Sequence, residues 1–76
     1  MNQDDIAARL MAENDEFRRL RSEHQSYDRE LETLSVIPSL SADQHWRISE
    51  LKKLKLMAKD RMEAIARQAR ESHAAG

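Results

Sequence analysis

The sequence predicts an all-α protein, an antiparallel and coiled-coil-like hairpin of two long helices. One internal proline and a single C-terminal glycine leave almost no punctuation for turns. Charged residues make up 36% of the chain and aromatic residues 4%, a balance typical of a solvated helical surface over a narrow apolar seam. Apolar residues recur at regular intervals, which argues against disorder. We expect one domain over residues 1–76.

The first helix is predicted over about residues 3–35. A stripe that begins at Ile6 alternates steps of four and three, and this spacing places its members on one helix face. Its members are Ile6, Leu10, Glu13, Phe17, Leu20, His24, Tyr27, Leu31 and Leu34. Only Glu13 and His24 interrupt its apolar character. The stripe therefore predicts one continuous helix.

A turn is predicted over residues 36–41. Pro38 cannot occupy a helix interior, and it disfavours helical geometry at Ile37. Ser41 and Gln44 then have the spacing of a capping box, in which the hydroxyl and the amide side chain each satisfy a backbone N–H group of the helix start. A second helix is therefore expected to begin near Ala42.

The second helix is predicted over about residues 42–72, followed by a frayed tail over 73–76. If Leu34 faces Ile48 across the turn, the stripes of the two helices stay in step along their length. The net charge of −4 on residues 1–35 and +3 on residues 36–76 also favours their packing. The resulting hairpin seam comprises Leu10, Phe17, Leu20, His24, Tyr27, Leu31, Leu34, Ile48, Leu51, Ala58, Met62 and Ile65.

Two segments resemble the YdcH-like family, small bacterial proteins catalogued as a domain of unknown function. They are Leu20...His24...Tyr27-Asp28...Leu31 and Leu51-Lys52-Lys53-Leu54-Lys55-Leu56...Lys59-Asp60...Met62. The resemblance spans about residues 10–65 and implies a helical hairpin with no established activity. The family more often has leucine at the position of Tyr27 and a larger apolar residue at that of Ala58.

Composition argues against several classes of function. The absence of cysteine excludes disulfides and thiolate chemistry and favours a cytoplasmic protein. No internal glycine is present to build a phosphate-binding loop, and no stretch is long and apolar enough for a membrane span or a signal peptide. We expect no enzyme activity, cofactor, metal or small-molecule substrate, because neither a cleft nor a nucleophile with its base can be built from two such helices.

His24 is the one residue of the seam that could carry chemistry, since an imidazole can titrate near neutral pH. We favour a structural interpretation, in which a polar seam residue fixes the register of the helices; a proton-linked role is the alternative. His45 and His73 fall at the turn and in the tail, so the three histidines do not form a metal site in one chain.

Two surfaces of the second helix are candidates for partner binding. A basic patch of Lys52, Lys53, Lys55 and Lys59 could meet phosphates, although no aromatic residues alternate with the lysines to stack on bases. Nucleic acid is therefore the less favoured partner.

A candidate protein interface consists of Trp46, Leu54, Leu56 and Met57, of which the last three, with Ala7 and Met11, fall outside the seam. For Trp46, the favoured interpretation is that it covers the seam by packing on Leu31, Leu34 or Val36, and the alternative is that it anchors a partner. We expect a non-enzymatic module that binds itself or another protein, most simply as a dimer forming a four-helix bundle.

Overall fold

The computed structural model describes the backbone of residues 3–75 and the side chains of residues 5–72. Over this range the chain is all-α, with three helices: α1 (Gln3–Glu13), α2 (Asp15–Ser35) and α3 (Ala42–Ala75). No helix among the described residues is both long and apolar enough to cross a membrane. The helical backbone continues through Ala75, beyond the predicted end near Ser72, and Gly76 lies outside the described residues.

The prediction of a single first helix was wrong, because Asn14 separates α1 from α2. Its backbone is extended (φ −119°, ψ 109°), and its side-chain Oδ1 accepts a hydrogen bond of 2.8 Å from the N–H of Phe17. This is the geometry of an N-cap, and acidic Asp15 and Glu16 follow in the first turn of α2, where negative charge is favourable. The sequence Asn-Asp-Glu is typical of a helix start, but the apolar stripe continues across it and favoured one unbroken helix.

The interruption costs few hydrogen bonds because its neighbours satisfy the free backbone groups. The N–H of Asn14 donates to the carbonyl of Leu10 at 2.8 Å, and the Asn14 carbonyl accepts from Arg18 at 3.1 Å. The Arg18 guanidinium also donates to the carbonyls of Met11 and Ala12, both at 3.2 Å. These carbonyls belong to the last turn of α1, where backbone carbonyls have no N–H donor within the helix. Arg18 therefore caps α1 from within α2.

The connection between α2 and α3 contains the predicted capping box. The N–H of Ser41 donates to Gln44 Oε1 at 2.8 Å, and the N–H of Gln44 donates to Ser41 Oγ at 3.2 Å. Helix α3 begins at the next residue, Ala42. At the other end of the connection, the N–H of Ile37 donates to the carbonyl of Leu34 at 3.2 Å and closes the last turn of α2.

Helices α2 and α3 lie antiparallel. Three ion pairs cross between them, and their order along α2 is the reverse of their order along α3: Glu16 with Arg61, Asp28 with Lys55, and Glu30 with Arg47. Helix α1 packs against both other helices.

The buried core is shared by all three helices. Its main cluster contains Ile6, Leu10, Phe17, Leu20, Ala58 and Ile65, while Leu34 and Leu51 are buried separately from it. Ala7 and Met11, which the predicted seam left uncovered, are half-buried against the main cluster. Packing of α1 on the core therefore covers part of both side chains.

Candidate interaction surfaces

The predicted seam residues lie on the inner faces of the helices. Seven are buried: Leu10, Phe17, Leu20, Leu34, Leu51, Ala58 and Ile65. The other five are half-buried: His24, Tyr27, Leu31, Ile48 and Met62. Among the described side chains no polar or charged residue is buried. His24 therefore lies at the margin of the seam, not inside it.

The outer face of α3 carries exposed apolar side chains that the chain itself does not cover. Trp46 is 76% exposed and Met57 is 59% exposed. The favoured interpretation of Trp46 was therefore wrong, because the indole does not cover the seam, and Val36, one of its expected contacts, is 78% exposed. Trp46, Leu54 and Met57 line an open groove of about 610 Å³ together with Asp43, Arg47, Ser49, Glu50 and Lys53. We call this surface the outer strip.

The outer strip belongs to α3 alone. The positions of Trp46, Glu50, Lys53 and Met57 follow steps of four, three and four residues, so they lie on one line along the helix. At about 100° per residue, this line lies about 120° around α3 from the buried face that contains Leu51, Ala58 and Ile65. A partner on the outer strip would therefore contact α3 without displacing α2.

Leu56 lies apart from the outer strip, although the sequence grouped it with Trp46, Leu54 and Met57. It lines a separate groove of about 280 Å³, together with His24, Leu31, Lys52, Lys55 and Lys59. A neighbouring groove shares Leu31, Lys52 and Lys55 and extends to Asp28 and Ile48. We call the surface formed by these two grooves the lysine flank. The predicted interface is thus divided between two sides of α3.

The predicted basic patch is divided in the same way. Lys52, Lys55 and Lys59 line the lysine flank, but Lys53 lies in the outer strip. Lys55 is paired across the helices with Asp28, with Nζ 2.5 Å from Oδ1. This hydrogen bond and the attraction of the ammonium group lower the pKa of Asp28 below its ordinary value. Lys52 and Lys59 form no ion pair within the part of the chain that the structure describes.

The opposite side of the α2–α3 pair is closed by arginine–glutamate pairs. The guanidinium of Arg47 contacts both carboxylate oxygens of Glu30 and also pairs with Glu50. This bidentate contact lowers the pKa of Glu30. Arg61 pairs with Glu16 at 3.0 Å. These exposed pairs fix the alignment of the helices more than they stabilise the fold.

Among the described residues, histidine, aspartate and glutamate side chains form no cluster of three that could hold a metal ion. The surfaces that remain are shallow and consist of apolar side chains bordered by charges. Such surfaces are suited to contact with another macromolecule.

Comparison with known families assigns the chain to one of them. A family model described as "Protein of unknown function (DUF465)" matches residues 17–66. The chain belongs to this family. No curated protein and no solved structure matches it.

The range matched by the DUF465 model contains most of α2, the connection and most of α3. It includes the whole outer strip and the whole lysine flank. Helix α1 and the Asn14 cap lie before the matched range. The two candidate surfaces therefore belong to the part of the chain that matches the family model.

Proposed function

We propose that this chain is a non-enzymatic protein-interaction module that self-associates through the outer strip of α3. The carrying observation is the exposure of Trp46 and Met57 on one line of a helix that already packs on α2 by another face. Exposure of the apolar surface of tryptophan and methionine to water is unfavourable, and both residues are enriched at protein interfaces. The absence of any enclosed pocket among the described grooves favours binding over catalysis.

The proposal is tested by sedimentation equilibrium over a range of protein concentrations. We expect a mass that rises from monomer toward dimer, and a loss of this rise in Met57→Lys, which places a charge in the outer strip. Leu56→Lys is a matched control because Leu56 is 58% exposed and Met57 is 59% exposed, on different sides of the same helix. A helical monomer at every concentration would contradict self-association.

A second candidate function is binding of a polyanion, such as RNA, on the lysine flank. The observation in its favour is that Lys52 and Lys59 lie about two helical turns apart beside the same groove and have no ion-pair partner among the described residues. Against it, Asp28 occupies one side of this surface and pairs with Lys55, and the net charge of the chain is −1.

Polyanion binding is separable from self-association by charge reversal. If the lysine flank binds RNA, the affinity should fall with rising salt because phosphate contacts release counterions. Lys52→Glu and Lys59→Glu should then weaken retention of RNA, while Lys53→Glu, on the outer strip, should weaken it less. Equal losses in all three variants would indicate a diffuse charge effect with no site.

Two further proposals follow from the composition and the matched range. We propose that the YdcH-like family and the matched family are the same group, since both motifs of the resemblance lie within residues 17–66. A cytoplasmic location is also proposed, because a chain without cysteine needs no oxidising compartment to fold.

A further inference from the structure

We infer that the outer strip binds the outer strip of a second copy, with the two α3 helices antiparallel and Glu50 of each facing Lys53 of the partner subunit. The inference rests on the proposed function and specifies its partner, orientation and register. Two observations support this arrangement: the order of Glu50 and Lys53 along α3, and the exposure of Trp46 and Met57 on either side of them.

The spacing of the strip is that of a helix–helix seam. Steps of four, three and four residues from Trp46 through Glu50 and Lys53 to Met57 are the alternation of the a and d positions in a heptad. Along the chain the order is apolar, acidic, basic, apolar. Read in the opposite direction, the order is apolar, basic, acidic, apolar. The strip is therefore complementary to itself when a second copy runs antiparallel, as a two-fold interface requires.

This register makes four favourable contacts. Trp46 faces Met57 of the partner subunit, Glu50 faces Lys53 of the partner subunit, and the two-fold axis repeats both. The tryptophan and methionine side chains provide the apolar area, and a sulfur–aromatic contact adds to it. The central charge pairs fix the register more than they add affinity.

Other arrangements place like charges together. A parallel pair puts each residue opposite its own copy, so Glu50 faces Glu50 of the partner subunit and the lysines also meet. An antiparallel pair centred on Glu50 makes the same glutamate contact and brings Arg47 to Lys53 of the partner subunit. Such contacts are repulsive. Of these three arrangements, the charges favour the antiparallel one in which Glu50 faces Lys53 of the partner subunit.

The seam is short and ends in a repulsive contact. Beyond Trp46, the same register brings Asp43 opposite Asp60 of the partner subunit. Apolar contact is thus limited to the 46–57 segment, about 17 Å of helix at 1.5 Å per residue. We therefore expect a weak, concentration-dependent dimer. The two α2 helices lie outside the α3 pair, which gives an extended layer of helices in place of the compact four-helix bundle expected from the sequence.

Charge reversal tests the register. In Glu50→Lys, lysines at positions 50 and 53 face each other, and in Lys53→Glu, glutamates do. Each single variant should dimerise at least about tenfold more weakly than wild type, because two attractive contacts become repulsive. The double variant and an equimolar mixture of the two single variants should regain affinity. The Arg47–Glu50 pair is absent from both Glu50→Lys and the double variant, so its loss cannot explain recovery.

A gain of affinity gives an independent test that does not depend on damaging the protein. Asp60→Lys should strengthen dimerisation about threefold or more, because lysine would then face Asp43 of the partner subunit at both ends of the seam. Glu63→Lys makes the same change of charge one turn further along α3, beside Arg67 and Arg70 and away from the outer strip. It should leave the dimer affinity unchanged.

The outcomes separate this inference from the proposed function. If Met57→Lys abolishes dimerisation but the single charge reversals keep wild-type affinity, the register is wrong and the strip remains the interface. A double variant as weak as the single variants also overturns the antiparallel register. If wild type is monomeric, or if Met57→Lys dimerises as wild type does, both the register and the proposed function fail.

Discussion

The buried face of α3 and the exposed lysine flank contain similar apolar side chains in very different surroundings. Leu51 is fully buried, whereas Leu56, five residues later on the same helix, is 58% exposed. Both are leucines in an uninterrupted helix, so helix propensity does not distinguish them. What distinguishes them is the position of α2, whose apolar stripe covers one face of α3. An apolar side chain on a helix thus favours burial, but it does not show which surface will bury it.

The largest effect that separates the two faces should follow truncation of Leu51. We expect Leu51→Ala to lower the free energy of unfolding by on the order of 2–5 kcal/mol, since it removes a fully buried side chain and leaves a cavity. Leu56→Ala should change it by about 0.5 kcal/mol or less. Urea denaturation followed by circular dichroism measures both. Similar losses in the two variants would contradict the assignment of Leu51 to the buried face and of Leu56 to an exposed side of α3.

A smaller loss of stability is expected from removal of the Asn14 cap between α1 and α2. Asn14→Ala removes the acceptor of the Phe17 N–H bond, and loss of an N-cap typically costs about 1 kcal/mol. Gln25→Ala, at an exposed position in the middle of α2, is the control and should be neutral or slightly stabilising because alanine favours helix. An unchanged stability of Asn14→Ala would mean that a continuous helix can pack Ile6 and Leu10 equally well.

The ion pair between Asp28 and Lys55 predicts that the stability of the fold depends modestly on pH. The pKa of Asp28 is lower in the folded protein than its ordinary 3.8, because Lys55 stabilises the carboxylate. A group with a depressed folded pKa contributes stability above its unfolded pKa, and this contribution is lost as the pH falls through the folded pKa. Stability should therefore decrease below about pH 4, and less steeply in Asp28→Asn.

Thermal unfolding of both proteins at several pH values from neutral to strongly acidic measures this difference. Glu63→Gln is the control for loss of a carboxylate, because Glu63 forms no ion pair in the described part of the chain. Parallel pH profiles for wild type and Asp28→Asn would show that the Lys55 contact does not persist in solution.

The smallest effect on the isolated chain should come from the outer face. In dilute solution, Met57→Lys should change the free energy of unfolding by about 0.5 kcal/mol or less, because the side chain is 59% exposed. At high concentration wild type should become more stable by mass action, and Met57→Lys should not. Melting temperatures measured over a hundredfold range of concentration test this. A variant that gains stability with concentration as wild type does would place the interface elsewhere.

Local signals determined much of this structure. Pro38 and the Ser41–Gln44 capping box determined where α3 begins, and the hydrogen bonds of that box are present. The spacing of apolar residues from Phe17 to Leu34 determined which face of α2 is buried. Asn14 carried a local signal of the same kind, but a heptad stripe continued across it and favoured an unbroken helix. A single capping residue can end a helix without changing the apolar period, so periodicity alone does not detect it.

Tertiary structure decided the roles of residues on α3. The apolar spacing predicted that Leu51, Ala58 and Ile65 face α2, and they are buried. The other large apolar side chains of α3 are distributed around the rest of the helix, and spacing alone did not show which surface each of them joins. The placement of α2, aligned by Glu16, Asp28 and Glu30, left Trp46 exposed where the sequence had favoured its packing over the seam. The physical reason is that burial depends on surfaces brought together from distant parts of the chain, whereas helix caps and turns depend on residues within about one turn of each other.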